Sequence, residues 1–405
     1  MPATFRTVWS DPTLRMLFLL TLLFGTFICC IGPFQSLVGV RRYGLSDAVY
    51  AALLMAALLV SIAVSVGIGI LTDQRPSRRR MALLAVGALV LGGVAVWLID
   101  TAIVFLLVHL MLIPVAGTLF GQIFAVMRLH IAPLPETERN AIVSVLRASM
   151  GIPWVLFLPV WAMVLTREDR LILIYPVLAL LGLAMLALVL RDWPPDEKAP
   201  WREVKSGLGF RASIREMMAP PVMIRVMLIG ALHAGGALAG VILGLVFAAA
   251  GRGADQIGLF FSALVAFEVL AMLATGAFAA HLSRLSLLVT GTVIYALFLA
   301  LLPVLVNSPL LWALAILAGV GGALIYLPAL GYLQDLLGNR AGAGASLIAL
   351  QRLSSDGLAA AIYAFGAWAS GYWLVAVLGA AVTLAAIATT LWLDRTRPLP
   401  HRQAG

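Results

Sequence analysis

Charge is scarce in this chain. Asp, Glu, Lys and Arg make up 11% of its 405 residues, where a soluble domain carries about a quarter. With 62% of residues hydrophobic, a water-soluble globular fold is excluded. Cysteine is nearly absent: Cys29 and Cys30 are adjacent inside an apolar run, so they build neither a disulfide framework nor a metal-ligand spacing. Of the 27 basic residues 25 are Arg, scattered between apolar runs rather than gathered on one polar face. The net charge of +9 therefore points to membrane topology and not to nucleic acid. No Gly-rich phosphate loop follows a strand, no His or Cys pair has metal spacing, and there is no nucleophile elbow. The chain does not read as an enzyme, and neither a cofactor nor a metal is expected.

What remains is long apolar runs. Uncharged stretches extend from Met16 to Val40, Ala48 to Thr72, Met81 to Ile99 and Thr101 to Met127, and each reaches the ~20 residues that cross ~30 Å of hydrocarbon as a helix. A fifth run begins after Arg139 and continues to Thr166 with Arg147 as its one charge, and a sixth goes from Leu171 to Leu190. The polar segment Arg191 to Pro221, with five prolines and mixed charges, reads as a linker holding at most a short surface helix near Phe210 to Met218. Beyond it lie Val222 to Ala250, then Gln256 to Ala280 interrupted by Glu268, then Leu285 to Gln334, which Asn307-Ser308-Pro309 divides in two. Spans from about Ser346 to Ala369 and Tyr372 to Leu393 complete the set, parted by Ser370-Gly371. The expected architecture is all-α, with twelve transmembrane helices in two six-helix halves: residues 1–190, a linker at 191–221, and 222–405.

Alternate loops differ sharply in charge. Twenty Lys and Arg fall on the side of both termini and the linker, and five (Arg41, Arg42, Arg167, Arg170 and Arg252) fall on the other. This bias orients the termini and linker to the cytoplasm. Met1 to Pro12 is short and polar, and no small-residue cleavage site follows the first run, so that span is expected to stay in the mature protein. A weak repeat is visible at an offset of about 205: Val143-Ser144-Val145-Leu146-Arg147 matches Ile348-Ala349-Leu350-Gln351-Arg352, and Gly44-Leu45-Ser46-Asp47 faces Gly253-Ala254-Asp255. Two parallel repeats of six spans account for both matches.

Ionisable side chains inside spans are the candidates for function, because a charge at bilayer depth costs at least ~2.5 kcal/mol on insertion scales. Arg352 and Asp356 are four apart, on one helix face and close enough to pair. Tyr363 continues that stripe, with the small Ala359, Ala360 and Ala361 beside it. The pair either lines a cavity or merely lowers the cost of insertion. Glu268 has no partner close in sequence and is either neutral or paired across helices, and both states suit a proton-coupled step. Arg147, with Trp154 one heptad on, is either a cavity residue or a latch between helices. His109 and His233 read as packing or weak hydrogen-bond residues. The loop Gly69-Ile70-Leu71-Thr72-Asp73-Gln74-Arg75-Pro76-Ser77-Arg78 ends a span with an acid and clustered arginines. It either latches neighbouring helices or anchors the cytoplasmic side, and Gly69, Asp73, Arg75 and Arg78 would form the latch.

Twelve spans, a central linker and a Gly-x-x-x-Asp loop followed by arginines resemble the major facilitator superfamily over essentially the whole chain. Within it the chain is most similar to the bacterial sugar efflux transporter family. That likeness is carried by Gln122-Ile123-Phe124-Ala125-Val126-Met127-Arg128, Arg147-Ala148, Ala266-Phe267-Glu268, Tyr332-Leu333-Gln334-Asp335-Leu336, Ala341-Gly342-Ala343-Gly344-Ala345-Ser346-Leu347 and Arg352. The resemblance implies proton-driven export of sugars or small glycosides by alternating access. In the superfamily arrangement spans five and eight lie side by side where the halves meet, as do two and eleven, so Arg147 and Glu268 could meet. It also adds Gln122 to the substrate and proton pathway. The loop departs from the superfamily pattern at Pro76 and Ser77, and its counterpart near Gly276 has Ala280 in place of the acid.

The function expected is that of a monomeric, multi-pass transporter of the bacterial inner membrane. Its partners would be a sugar or similar small polar solute, protons and the lipid bilayer, with no nucleic acid. Two alternatives stay open: export of amphipathic drugs, against which the scarcity of acids in the first-half spans weighs, and a transporter-like sensor or scaffold.

Overall fold

A computed structural model describes residues 2–74, 77–196, 219–278, 283–336 and 341–396. The described residues are almost wholly helical, and the twelve expected spans correspond to α2 through α13. These are α2 (Pro12–Ile31), α3 (Asp47–Gln74), α4 (Arg78–Ile99), α5 (Ala102–Ile131), α6 (Glu136–Val164), α7 (Ile174–Asp192), α8 (Pro220–Ala249), α9 (Ala254–Phe278), α10 (Arg284–Leu305), α11 (Leu311–Asp335), α12 (Ala341–Ser370) and α13 (Tyr372–Thr396). Ten of them, α2 to α10 and α13, are long and apolar enough among the described residues to cross a bilayer. The loop at 307–309 divides α10 from α11, and Gly371, at φ +79, turns the chain between α12 and α13. A positive φ is cheap only without a Cβ, which is why glycine stands there.

The structure differs from the sequence expectation in three places. The first apolar run is not one helix: α2 stops at Ile31, and a separate short helical segment follows over Gln35–Arg42. Pro33 has no N–H to continue the ladder, so the chain breaks there. The polar start of the chain is itself a helix, α1 (Pro2–Ser10). Between it and α2, Asp11 accepts hydrogen bonds from the amides of Thr13 (2.8 Å) and Leu14 (3.0 Å) and caps the second helix. Finally, α5 is irregular, with a π-type turn over Val108–Leu112 just before Pro114. Proline frees a carbonyl one turn upstream, and the wider turn accommodates it.

The chain divides into two compact units. The first comprises Met1–Leu45 with Ala56–Gly207, the second Ser46–Met55 with Leu208–Gly405. The same packing recurs in each. In the first, α2 packs on α6 and α4 on α7; in the second, α8 packs on α12 and α10 on α13. Glycines set the first of these contacts in both. A Cβ on Gly25 would lie 2.4 Å from the Met150 carbonyl oxygen, and one on Gly230 would lie 2.6 Å from that of Gln351 and 2.4 Å from the Ser354 Cβ. Gly25 and Gly230 are themselves 205 residues apart, the offset of the sequence repeat. Without a hydrophobic driving force between helices in lipid, such close backbone approach is how α-helices gain packing energy.

Polar clips finish the ends of the spans. In the first unit Arg42 grips Asp100 (Nη2 to Oδ2, 2.6 Å), and the Tyr43 hydroxyl donates to Asp100 Oδ1 at 2.9 Å. The Arg42 hydrogen bond holds the Asp100 carboxyl below its usual range, while burial and that same carboxylate push the Tyr43 phenol up to about 12. The backbone amide of Arg79 donates to Asp196 (2.8 Å), which caps α4 from a distant part of the chain. In the second unit Arg225 of α8 pairs with Asp394 of α13 at 3.3 Å, and Tyr332 of α11 donates to the same carboxylate at 2.9 Å.

Candidate functional site

Polar side chains from five successive helices of the second unit, Glu268 among them, converge on Tyr326 of α11. The close approach of α9 and α11 begins at Gly319, where a Cβ would lie 2.5 Å from the Leu264 carbonyl oxygen and 2.7 Å from the Glu268 amide nitrogen. One turn further along α11, Gly322 stands beside the carboxylate: a Cβ there would make ordinary contact with Glu268 Cδ and Oε1 at 3.7 Å and with the Tyr295 ring at 3.8 Å. Glu268 is half-buried. It lies within electrostatic reach of the phenols of Tyr295 on α10 and Tyr326 on α11.

The wall extends on both sides of this acid. The Tyr326 ring stands edge-on to His233 of α8, with centroids 4.9 Å apart, and 57% of Tyr326 is exposed. The Nδ1 of His233 donates to the Ile229 carbonyl at 2.9 Å, which assigns the proton to that nitrogen and leaves Nε2 as an acceptor. On α12 the expected pair is present, with Arg352 Nε 3.4 Å from Asp356 Oδ2. Arg352 is exposed and Asp356 half-buried, and both lie within electrostatic reach of Tyr326. Two phenols, an imidazole, a guanidinium and two carboxylates are thus linked through Tyr326, with Tyr295 buried behind it. Such a set offers donors and acceptors to a hydroxyl-rich solute and ring surface to its C–H groups.

Tyr363 departs from the stripe expected for α12. It is wholly buried, and its hydroxyl donates to Asp47 Oδ1 at 2.5 Å. Tyr372 donates to the same oxygen at 3.0 Å. Offsets of four and seven residues put Tyr363 near the line of Asp356, but a helix turns 100° per residue, and the side chain ends against another element. Of the alanines beside it, Ala359 and Ala360 are buried and only Ala361 is exposed.

In the first unit the candidates are spread out. Gln122 is buried and accepts from Arg78 Nη1 at 3.4 Å, so a residue assigned to the pathway and one assigned to the latch touch each other. Arg147 is exposed, with its charge felt by that of Arg128. Trp154 is half-buried, its indole edge beside Gly32 of the break after α2. Gly69 and Asp73 lie on the backbone of α3, but their side chains, together with Arg75, Ala280, and the linker from 197 to 218 with its expected short helix, fall outside the described residues. His109 is buried in the π-type turn, with Nε2 3.0 Å from the Tyr175 hydroxyl and Nδ1 without a partner among the described residues. Sequence reasoning passed over Asp47, Tyr295, Tyr326 and Tyr372. Asp47 carried a signal, since it opens a span with an acid, but the tyrosines are ordinary apolar-span residues until the fold brings them to a carboxylate. Among the described residues no group of three His, Cys, Asp or Glu is placed to hold a metal.

The architecture defines the class at the level of the fold: a multi-pass helical arrangement of the major facilitator type, with ten described helices long and apolar enough to cross a bilayer. Over 393 residues, 93% of this chain and 97% of the relative, it is 28% identical to a Deinococcus radiodurans protein named "Putative sugar efflux transporter". No family model matches the chain. Among solved structures it is similar to the nucleoside transporter NupG (TM-score 0.70, 15% identity, 96% of this chain and all of that one). It is also similar to a D-xylose-proton symporter (TM-score 0.64, 18% identity, 92% of this chain and 96% of that one). At such identities these two likenesses speak for the fold.

Proposed function

We propose that this protein exports sugars or related small polar solutes in exchange for protons, by alternating access, with the Glu268 face as the part of the pathway that the second unit supplies. The observation that carries the reading is the placement of Glu268. A carboxylate on a membrane span stands half-buried beside Gly322 and within reach of two phenols, with no ion pair to an arginine among the described residues. Its charge is therefore free to change as water reaches it, which is what coupling requires. The name of the Deinococcus relative supports a sugar as the cargo and efflux as the direction. Arg352 and Asp356 would position substrate hydroxyls, and Tyr326 with His233 would pack against the sugar ring. In the first unit Arg147, Trp154 and Gln122 remain the pathway residues, and Gly69, Asp73, Arg75 and Arg78 the latch.

The deciding experiment uses purified protein in proteoliposomes with an imposed pH gradient and a panel of radiolabelled mono- and disaccharides. Uphill movement of at least one sugar, abolished by a protonophore, is expected. Glu268→Gln preserves shape and removes the charge, so gradient-driven flux should collapse while downhill exchange of the same sugar persists in part. Flux of every sugar equal to that of empty vesicles would refute the cargo assignment. Undiminished gradient-driven flux in the Glu268→Gln protein at equal reconstitution would refute the proton role.

A further inference from the structure

We propose that α1 and the start of α2 form a binding site for an anionic phospholipid, with Arg6 and Arg15 holding its phosphate and the rings of Phe5 and Trp9 lying against its acyl chains. The first observation is the two-sidedness of α1. Helix geometry puts Val8, Phe5 and Trp9 on one arc of about 100°, with Arg6 on its flank. Val8 is wholly buried, while Phe5 and Trp9 are 47% and 46% exposed. The Phe5 and Trp9 rings are stacked with centroids 6.0 Å apart, and both stand edge-on to Phe18 of α2, at 5.9 and 6.3 Å. Phe18 lies six residues beyond Pro12, the first residue of that span, or about 9 Å along its axis. Rings that reach it are held at the depth where α2 passes from headgroups into hydrocarbon, the level that Trp favours.

The second observation is the unbalanced charge beside this face. Arg6 is exposed and lines a shallow recess together with Phe5, Trp9 and Ser10. Arg15, in the first turn of α2, is exposed too and turns back toward the start of the chain, its Nη1 donating to the Trp9 carbonyl at 3.3 Å. A long cation folded toward the end of its helix keeps its stem on apolar surface and its guanidinium among headgroups. Asp11, the acid between them in sequence, neutralises neither. Both of its oxygens are taken, Oδ1 by the amides of Thr13 and Leu14 and Oδ2 by His130 Nε2 at 2.8 Å. Two guanidinium groups that no carboxylate pairs with among the described residues thus flank an aromatic surface set at the edge of the hydrocarbon. Guanidinium matches phosphate in geometry and charge, and an apolar face beside basic residues is the pattern of helices that lie on anionic bilayers. A free anion would use the arginines alone; a phospholipid uses the rings as well.

Photocrosslinking on the full-length protein in detergent micelles tests this without a transport substrate. Phosphatidylglycerol and phosphatidylcholine, each carrying a photoactivatable group near the phosphate, are titrated in, and the yield on the segment 4–18 is read by mass spectrometry. Phosphatidylglycerol should label that segment at lower concentration than phosphatidylcholine. Each basic residue at an anionic headgroup is worth about fivefold in binding. Arg6→Gln with Arg15→Gln should therefore raise the half-saturating concentration of phosphatidylglycerol about twentyfold. Arg6→Lys with Arg15→Lys should restore most of the labelling. Arg41→Gln with Arg395→Gln, which alters two exposed arginines at the ends of other spans, should leave it unchanged. Equal labelling by the two lipids, no labelling of 4–18, an equal loss in the control pair, or no recovery with lysine would each overturn the site. Displacement of phosphatidylglycerol by an equal concentration of inorganic phosphate would overturn the lipid as its occupant. So would a lipid-free dimer, seen by light scattering, that dissociates in Phe5→Ala with Trp9→Ala, since the face would then belong to a second copy.

Discussion

Arg225 and Asp394 stand 169 positions apart in the chain and 3.3 Å apart in the fold, with side chains only 2% and 9% exposed. The pair joins the second turn of α8 to the last of α13, and Tyr332 adds a third helix to it. Removing one member of a buried pair strands the other charge, at a cost of about 3–5 kcal/mol. Asp394→Ala should therefore lower the thermal unfolding temperature in detergent markedly. Arg225→Met with Asp394→Leu should be less damaging than the sum of the single changes, and strict additivity would show that the two side chains do not interact.

The close approach of α9 and α11 at Gly319 gives a second prediction. A side chain at 319 would collide with the α9 backbone at Leu264 and Glu268, where neither atom can move without shifting a helix. Gly319→Val should cost several kcal/mol, as overpacking does in cores, while Gly240→Val, at a position with open space within 4 Å, should be tolerated. Comparable melting temperatures for the two variants would contradict the close approach of α9 and α11.

At the start of α2, burial raises the Asp11 carboxyl, but hydrogen bonds from His130 and from the amides of Leu14 and Thr13 outweigh it and hold the group below 3.8. A depressed carboxyl contributes stability above its unfolded value, and that contribution is lost as pH falls through the folded one. Asp11→Asn keeps a capping oxygen and removes the titration. Its stability at neutral pH should lie within about 1 kcal/mol of the parent, and it should show a shallower loss on acidification below pH 4. Parallel acid-unfolding curves for the two proteins would rule out a role for this carboxyl.

Asp100 combines a left-handed backbone (φ 44) with the grip of Arg42 and Tyr43. Asp and Asn tolerate that region better than branched residues do. Asp100→Asn should lose only the exposed ion pair, about 0–1 kcal/mol, whereas Asp100→Val adds backbone strain of about 1–3 kcal/mol. Equal melting temperatures for the two variants would show that the backbone at 100 relaxes.

The charge bias predicts topology. Reporter fusions at Arg402 and within the 191–221 linker should both report the cytoplasm, because twenty of the loop basic residues lie on that side and five on the other. An external signal at either site would invert or break the twelve-span arrangement.

The sequence by itself determined the class of molecule and the order of its spans. Apolar runs of about 20 residues have one stable form in hydrocarbon, a helix that satisfies its own backbone, so length, charge spacing and breakers such as Asn307-Ser308-Pro309 and Gly371 were enough to place α10 to α13. The i, i+4 spacing of Arg352 and Asp356 was legible for the same reason, since it is a property of one helix. Contacts between helices were not legible. Tyr363 shares a sequence stripe with Asp356 yet bonds to Asp47, 316 residues away, and Glu268 acquires its surroundings from Gly322 and Tyr295 on two other helices. In lipid every face of a span is apolar, so the pattern that marks the buried side of a soluble helix is missing. Which tyrosine meets which carboxylate is then decided by where glycines let backbones approach, and that is a fact of tertiary packing alone.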